Sequence, residues 1–328
     1  MSYHHFTPSE RNVLANLRRL KWTVRAIARA LGRSPSTISR EVRRNSEREG
    51  YNPHWANLQY WKRREQKQLR YKTGDSSLME RVIDKMKEGW SPEQIWGRFK
   101  HVDFPEQPAM WISHESVYRY VWEDKKNGGN LYQYLRRGRK KYGKRGAGPH
   151  PNRKIAGRVS IDERAPIVAE QGRFGDWEAD TIYGRHRESC MVTVIERKSL
   201  FCTVAHILDT TIASVNQGIL QSFLLIPKQI VLTITVDNGK EWAGFKSLEK
   251  ALDAMVYFTH PYSAWERPVN ENLNGLLRQY LPKKSDLRCT TEEQLAQIVK
   301  TMNDRPRKKH KYRTPSEIFS EACVALAT

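Results

Sequence analysis

Apolar residues near the N-terminus recur at helical spacing in three short segments. The first follows a capping box at Thr7 with proline at the first helical position, the second opens at Thr23, and the third opens at Ser34. The second and third are joined by a turn at Gly32. Two short helices with such a turn are typical of a helix-turn-helix. We therefore predict a helix-turn-helix domain over residues 1–50.

A second helical region is predicted over residues 51–124. Its first part, residues 55–72, is rich in aromatic and basic residues. It is either a helix that runs along the phosphates of a nucleic acid or a surface helix that joins two modules. An apolar stripe from Leu78 and two further capped segments, at Ser91 and Ser113, come next. These three segments form either a second helix-turn-helix or a purely structural bundle.

Beyond about residue 174 the apolar residues no longer recur at helical spacing. They alternate with polar residues or form continuous apolar runs. Three strands are predicted first, then a helix, a buried strand, a helix, a fifth strand and finally helices. The strands are expected at Trp177–Tyr183, Met191–Glu196, Phe201–Leu208, Ile230–Val236 and Ala254–Thr259. We therefore predict an α/β domain over residues 166–328, whose mixed five-stranded sheet begins as a meander and continues through helical crossovers.

Charge separates the two halves of the chain. The net charge is +21, and residues 1–150 carry 32 basic and 15 acidic side chains, whereas residues 151–328 carry 25 and 21. The basic half is typical of a polyanion-binding module, most simply for nucleic acid. A basic linker is predicted over 125–165, where no acidic residue lies between Asp124 and Asp162. It is either extended on DNA or mobile, with DNA contacts from Arg136, Arg137, Arg139, Lys140 and Lys141.

The third N-terminal helix presents a polar and basic face opposite Ile38 and Val42. Short polar side chains near its start and arginines after them suit a recognition helix in a major groove. A solvated face of a small bundle is the alternative, but the excess of basic over acidic residues favours DNA. The predicted DNA-binding residues are Arg33, Ser36, Thr37, Arg40, Arg43 and Arg44, with Arg119 on the third helix of the second region.

Composition excludes several classes of protein. No apolar stretch approaches 18 residues, which argues against a membrane-spanning helix, and the N-terminus lacks the apolar run of a signal peptide. The four cysteines are scattered without a C-x-x-C pair, so a zinc ribbon or a disulfide framework is not expected. Reduced thiols in a cytoplasmic protein are the prediction.

Three carboxylates stand out by their context. Asp180 lies inside the first predicted strand, Asp237 ends the buried fourth strand, and Glu271 begins a helix. Singly, Asp237 could belong to a turn, and Glu271 could be a favourable charge in a first helical turn. Together they indicate a cation site, because clustered like charges repel. Oxygen ligands suit Mg²⁺, with Mn²⁺ as a substitute, and two such ions could serve phosphoryl transfer.

These carboxylates resemble the acidic triad of the DDE transposase and retroviral integrase superfamily, with 33 residues between Asp237 and Glu271. More specifically, several strings resemble the family-thirty insertion-sequence transposases. They are Gly32 to Glu41, Trp177 to Asp180, Asp237 to Glu241, Pro261 to Arg267, Asn270 to Lys283 and Asn303 to Arg307.

The resemblance implies an RNase H-like catalytic domain preceded by all-α helix-turn-helix modules that bind terminal inverted repeats. It implies strand cleavage by water, then attack of the freed 3′-hydroxyl on target DNA, without a covalent protein–DNA intermediate. A homo-oligomer, at least a dimer on double-stranded DNA, in the bacterial cytoplasm near the nucleoid is expected, with no membrane partner. By the same resemblance, Arg278 contacts a DNA phosphate and completes the catalytic set.

One departure from the family pattern concerns the residues before Glu271. This chain has Pro268-Val269 where the family usually has glycine, and proline stiffens a loop that glycine would leave mobile. The family pattern favours faster cleavage with glycine at this position. Two alternatives to a transposase remain, a DNA-binding repressor with a catalytically idle oligomerisation domain and a structure-selective nuclease.

Overall fold

The computed structural model describes residues 5–47, 50–68, 72–136, 155–185, 188–261, 263–283 and 285–327. Contacts divide the chain into two compact units, Met1–Ser76 and Ser77–Thr328. Each unit has hydrophobic cores of its own.

The first unit is helical with one short hairpin. Its elements are α1 (Pro8–Arg19), α2 (Val24–Ala30), α3 (Pro35–Asn45), β1 (Ser46–Glu47), β2 (Gly50–Tyr51) and α4 (Pro53–Gln68). The predicted caps are confirmed, because the hydroxyls of Thr7, Thr23 and Ser34 each accept a backbone N–H of the first turn. The core is built from Phe6, Leu14, Ile27, Ala28 and Ile38.

Helix α4 is tied into this unit by polar contacts. The buried guanidinium of Arg11 donates to Glu41 at 2.9 Å and to Asn57 at 3.1 Å, and Arg63 donates to Asn45 at 2.7 Å. The first compact unit therefore extends past residue 50 to Ser76. The hairpin was not predicted, since two-residue strands carry no alternation that a sequence pattern could reveal.

A helical part lies at the start of the second unit, and we call it the helical module (residues 76–136). It contains α5 (Ser76–Lys87), α6 (Pro92–Arg98), a π-helical turn (Phe99–Asp103) and α7 (His114–Lys126). Both predicted caps, Ser91 and Ser113, are confirmed. The connection from α6 to α7 is long and structured rather than a tight turn.

A six-stranded mixed sheet forms the centre of the second unit. Its strands are β3 (Val159–Ser160), β4 (Asp176–Tyr183), β5 (Cys190–Glu196), β6 (Cys202–Ile207), β7 (Thr233–Val236) and β8 (Met255–Phe258), in the order β3-β8-β7-β4-β5-β6. Strands β4, β5 and β6 form the predicted antiparallel meander, and β7, β8 and β3 extend it in parallel. This is the strand arrangement of an RNase H-like fold.

The prediction of five strands was wrong by one. The sixth strand, β3, lies within the predicted linker and pairs with the outer edge of β8. The fourth predicted strand was also too long at its start, because Lys228–Ile230 forms a 3-10 turn. An apolar run cannot distinguish a buried turn from a buried strand.

Helices cover both faces of the sheet. They are α8 (Pro166–Ala169), α9 (Ile212–Phe223), α10 (Phe245–Leu252), α11 (Pro268–Leu277), α12 (Glu292–Asn303) and α13 (Pro315–Ala327). One core lies between the sheet and α9, α10 and α13, and the other lies between the sheet and α11 and α12. Because side chains alternate along a strand, β4 sends Trp177 to the first core and Ile182 to the second.

The chain near its C-terminus holds the helical module against the sheet domain, and we call residues 304–317 the C-terminal clasp. Arg98 of α6 donates to both carboxylate oxygens of Glu317 at 2.8 Å, and Gln94 donates to the carbonyl of Pro306 at 2.8 Å. The ring of Tyr312 stacks on His101 and meets Trp96 edge to face.

All four cysteines are free thiols, as predicted, and burial raises the pKa of Cys190 and of Cys202 to about 12. Within the described residues, no helix is long and apolar enough to cross a membrane.

Candidate active site

Asp180 lies in β4, the strand between β7 and β5, on the face covered by α11. Its side chain is 22% exposed, and its Oδ2 accepts a hydrogen bond of 2.6 Å from Nδ2 of Asn274 on α11. Burial raises the pKa of Asp180, whereas the nearby Arg267 lowers it. A carboxylate in this position therefore needs a cation beside it to remain charged.

Asp237 follows β7 directly, next to Asp180 in the parallel register. That register pairs Asp176 with Thr233 and Glu178 with Thr235, so two residues further brings Asp180 level with Asp237. Oδ1 of Asp237 accepts from the backbone N–H of Gly239 at 2.9 Å and from Nε1 of Trp242 at 2.7 Å. These two donors fix the orientation of the carboxylate.

One guanidinium, that of Arg267, joins the two aspartates. Its Nη1 lies 3.5 Å from Oδ1 of Asp180, and its Nη2 lies 3.2 Å from Oδ2 of Asp237. Nη1 also donates to the carbonyl of Ala179 at 2.9 Å, while the buried Nε has no partner among the described residues. The sequence reasoning missed this residue, although it lies in a string that resembles the family, Trp265-Glu266-Arg267.

Glu271 is not part of this arrangement. It lies in the first turn of α11 with an exposed side chain, and its backbone N–H bonds to the carbonyl of Arg267 at 3.1 Å. In the part of the chain that the structure describes, no three His, Cys, Asp or Glu side chains are grouped closely enough to hold a metal ion. The structure thus brings together two of the three predicted carboxylates and places the third on the adjacent helix.

Helix α11 is fixed to the sheet by residues that the sequence reasoning did not select. The buried carboxylate of Glu178, two residues before Asp180 on the same face of β4, accepts the backbone N–H of Asn270 at 2.8 Å and pairs with the buried Arg197. Burial raises the pKa of Glu178, and Arg197 lowers it. A polar residue at every second position of an otherwise buried strand was the available signal.

Arg278 ends α11 and holds backbone carbonyls. Its Nη2 donates to the carbonyl of Tyr183 at 3.1 Å, and its Nη1 lies 3.4 Å from that of Pro282. Burial lowers the pKa of Arg278. The predicted contact of Arg278 with a DNA phosphate stays a prediction.

The predicted reading face of α3 is open to solvent in its C-terminal half. Arg43 and Arg44 are exposed, and the exposed Arg40 folds back to donate to the carbonyl of Ser36 at 3.1 Å. The hydroxyl of Thr37 lies 2.8 Å from that of the cap residue Ser34.

Other predicted DNA-binding residues are placed differently. Arg33 is half-buried, and its guanidinium pairs with Glu10 of α1 at 2.8 Å. Arg119 is exposed on α7, and Arg136 is exposed at the end of the helical module. The remaining predicted contacts, Arg137, Arg139, Lys140 and Lys141, lie outside the described residues.

The donor set fits a divalent cation. Asp180 and Asp237 already share one positive group, and oxygen ligands of this kind suit Mg²⁺ and Mn²⁺. In the arrangement described here the positive group is the guanidinium of Arg267, so a metal ion bound by both aspartates would replace it.

Comparison with known proteins gives one domain family and several full-length relatives. Residues 2–45 match the family described as helix-turn-helix domain. The chain is 38% identical over 319 residues to the transposase for insertion sequence element IS4351 of Bacteroides fragilis, covering 97% of this chain and 96% of that protein. It is 35% identical over 327 residues to transposase InsI for insertion sequence element IS30A of Escherichia coli K12, covering 98% and 85%.

Among solved structures, the catalytic core domain of BIV integrase aligns with 48% of this chain and 100% of its own length, at 22% identity and a TM-score of 0.38. The assignment of this chain to a family rests on the relatives that align over nearly its whole length. A further relative, the transposase for insertion sequence element IS1086 of Cupriavidus metallidurans, is 33% identical over 97% of this chain and 95% of its own length. The chain therefore belongs to the IS30 family of insertion-sequence transposases, enzymes of the DDE type.

Proposed function

We propose that this transposase cleaves DNA strands at its inverted repeats and transfers them to target DNA, with Asp180, Asp237 and Glu271 as the catalytic carboxylates. One observation supports this most directly. Asp180 and Asp237 lie at adjacent positions of parallel strands and share a single cation. Two carboxylates held in this way are suited to bind Mg²⁺ or Mn²⁺, with Glu271 as the third ligand.

The residues of this chain hold the reacting groups in place. Asn274 and the backbone around Asp237 fix the orientation of the two aspartates, and Glu178 fixes the helix that carries Glu271. When bound, the metal ions supply activation of the attacking oxygen and charge stabilisation at the leaving oxygen. Water is the nucleophile for cleavage, and the freed 3′-hydroxyl is the nucleophile for strand transfer.

DNA recognition belongs to the first unit in this proposal. Helix α3 reads the terminal inverted repeat through Ser36, Thr37, Arg40, Arg43 and Arg44, and a homo-oligomer brings the two ends together. The matched helix-turn-helix family and the exposed basic face of α3 support this assignment. Target DNA is the second double-stranded partner.

Neutral isosteres of the three carboxylates test the proposal. Asp180→Asn, Asp237→Asn and Glu271→Gln should each slow Mg²⁺-dependent cleavage of inverted-repeat DNA by about 100-fold or more, the effect of losing one preorganised charge-stabilising group. Binding of the same DNA, measured without metal, should be unchanged. Asp253→Asn is the matched control, since this exposed aspartate ends α10 in a left-handed conformation that asparagine tolerates.

The outcomes separate the proposal from its alternatives. Near-normal cleavage by one of the three variants would remove that residue from the catalytic set. Specific end binding by the wild-type chain without any cleavage in Mg²⁺ or Mn²⁺ would favour a repressor. Cleavage without preference for inverted-repeat ends would favour a structure-selective nuclease.

A further inference from the structure

Two arginines after α12 have no role in the chemistry proposed above. Arg305 is 3% exposed, and its Nη2 donates to the hydroxyl of Tyr280 at 3.1 Å. Nη2 of the half-buried Arg307 donates to the carbonyl of Met302 at 3.0 Å. The Nε atoms of both arginines are buried without a hydrogen-bond partner among the described residues, and neither guanidinium pairs with a carboxylate there.

This lack of a counter-charge is unusual, because buried charges in proteins are normally paired. Burial lowers the pKa of Arg305 and lowers that of Arg307 to about 10. Arginine side chains stay protonated at neutral pH in proteins. Elsewhere in the same unit, the buried Arg197 is paired with Glu178. The pair after α12 thus leaves two positive charges that an anion could neutralise.

A third guanidinium, that of Arg136, completes the group. Its charge lowers the pKa of both Arg305 and Arg307. Its Nη2 is 3.7 Å from the position that a β-carbon would occupy on Gly275. Gly275 is four residues after Glu271 on α11, one helical turn further along the same side. We call Arg136, Arg305 and Arg307 the arginine cluster.

The members of the cluster differ in how open they are: Arg305 is covered, whereas Arg307 lines a cavity and Arg136 is exposed. A β-carbon on Gly89, which has φ +87°, would lie 2.6 Å from Nη2 of Arg305, so the backbone there closes against the guanidinium. Arg307 also lines a cavity of about 220 Å³ beside Pro268 and Asn272 of α11. Arg136 itself is exposed and opens the basic segment that continues through residues 137–145.

We propose that the arginine cluster is a phosphate-binding site whose ligand is a backbone phosphate of double-stranded DNA close to the site of cleavage. Guanidinium groups bind phosphate oxygens through paired N–H donors. Arg136 lies beside Gly275, one helical turn beyond Glu271, so a phosphate bound there would be close to the carboxylates proposed for cleavage. The choice of ligand rests on the proposed function, whereas the anion site itself rests on the three arginines.

Inorganic phosphate tests the site without DNA. In the metal-free full chain, phosphate should raise the melting temperature relative to chloride at equal ionic strength. Arg136→Gln should lose most of that rise, and because Arg136 is exposed the variant is expected to fold. Lys250→Gln, which also removes an exposed positive charge, in the last turn of α10, should keep the rise in melting temperature.

DNA binding identifies the source of the phosphate. Without metal, the slope of log K against log salt should become less steep by about 0.9 in Arg136→Gln, the value for one lost phosphate contact. A neutral methylphosphonate at the contacted position near the cleavage site should weaken wild-type binding by about tenfold. The same substitution should have little effect on Arg136→Gln, since the contact is already absent.

The two measurements together test the anion site and the identity of its ligand. Phosphate stabilisation that depends on Arg136, with an unchanged salt slope and no sensitive position in the DNA, would overturn DNA as the ligand and leave a free-anion site. No phosphate stabilisation and an unchanged slope would overturn the site altogether. Neither measurement requires cleavage, so failure of the proposed catalysis would be seen separately.

Discussion

The guanidinium of Arg267 occupies the position between the two aspartates that a metal ion would take. Two like charges about 4 Å apart repel by about 4 kcal/mol at an effective dielectric of 20, so a cation between them stabilises the metal-free protein. Arg267 thus competes with any ion that binds both Asp180 and Asp237.

We expect Arg267→Gln to bind Mn²⁺ more tightly than the wild type, because no guanidinium has to be displaced. The metal-free variant should melt at a lower temperature, and Mn²⁺ should raise its melting temperature more. Calorimetric titration and thermal melts measure the two effects. Arg288→Gln, which removes an exposed arginine paired with Asp286, is the control. Equal Mn²⁺ affinity and equal metal-free stability would contradict this role for Arg267.

In α3, a single residue, Arg40, is expected to determine sequence discrimination. Arg40→Ala in the full chain should weaken binding to inverted-repeat DNA by about 1–3 kcal/mol more than binding to random DNA, the value of a good bidentate base contact. Competition binding with both DNAs measures the difference. Arg19→Ala, an exposed arginine in the last turn of α1, should affect both DNAs alike. Equal losses for Arg40→Ala would remove it from the reading face.

At the scale of elements, the start of α11 links the fold to the site. The helix begins at Pro268, whose fixed φ suits a first helical position and whose missing N–H is not needed there. This proline sets the first turn, which carries Glu271. Pro268, which stands where the family usually has glycine, therefore has a physical role as the first residue of α11.

Pro268→Gly should slow cleavage, the opposite of the direction that the family pattern favours. Glycine adds about 0.4–1 kcal/mol of backbone entropy that ordering the first turn must overcome. Single-turnover cleavage measures the rate, and end binding should not change. Pro166→Gly, a proline at the start of α8, controls for loss of a helix-initiating proline. A faster reaction would show that proline holds Glu271 away from the aspartates.

Local signals predicted most of these elements. Hydroxyl caps such as Thr7 and Thr291 act within four residues, so the sequence around them suffices to locate helix starts. Strand β3 and the hairpin after α3 are two residues long and exist only through their partners, so no local pattern reveals them. Asp180 and Asp237 could be predicted because a charged residue within or directly after an apolar strand is unusual. The contact of Arg267 with both aspartates forms only in the folded chain, where β4, the end of β7 and the start of α11 come together.

At the scale of the whole molecule, the C-terminal clasp joins the helical module to the sheet domain. The salt bridge from Arg98 to Glu317 has two hydrogen bonds of 2.8 Å. These hydrogen bonds outweigh burial, which acts in the opposite direction, and the pKa of Glu317 is lowered to about 2. A carboxylate whose pKa is lowered by folding stabilises the folded state above its unfolded pKa, and this stabilisation is lost as the pH falls through the folded pKa.

Glu317→Gln should therefore lower the melting temperature at pH 7. The side chain is 35% exposed, so solvent screening limits the effect to about 1 kcal/mol, or about 2–4 °C. The difference from the wild type should shrink between about pH 4.5 and about pH 2, as the wild-type carboxylate becomes protonated. Glu321→Gln, a more exposed glutamate on the same helix, should show a smaller effect. A difference that persists at pH 2 would indicate lost packing instead.

The clasp also has a consequence for biosynthesis. Its contacts with α6 join residues separated by more than 200 positions, such as Gln94 and Pro306. A ribosome delivers the helical module well before the clasp, so the surface around Trp96 and Arg98 has no partner until residues 304–317 have been synthesised. A chain that stops before Arg305 would lack the clasp and two members of the arginine cluster together. The second unit of this transposase therefore cannot complete its packing before residues 304–317 have been synthesised.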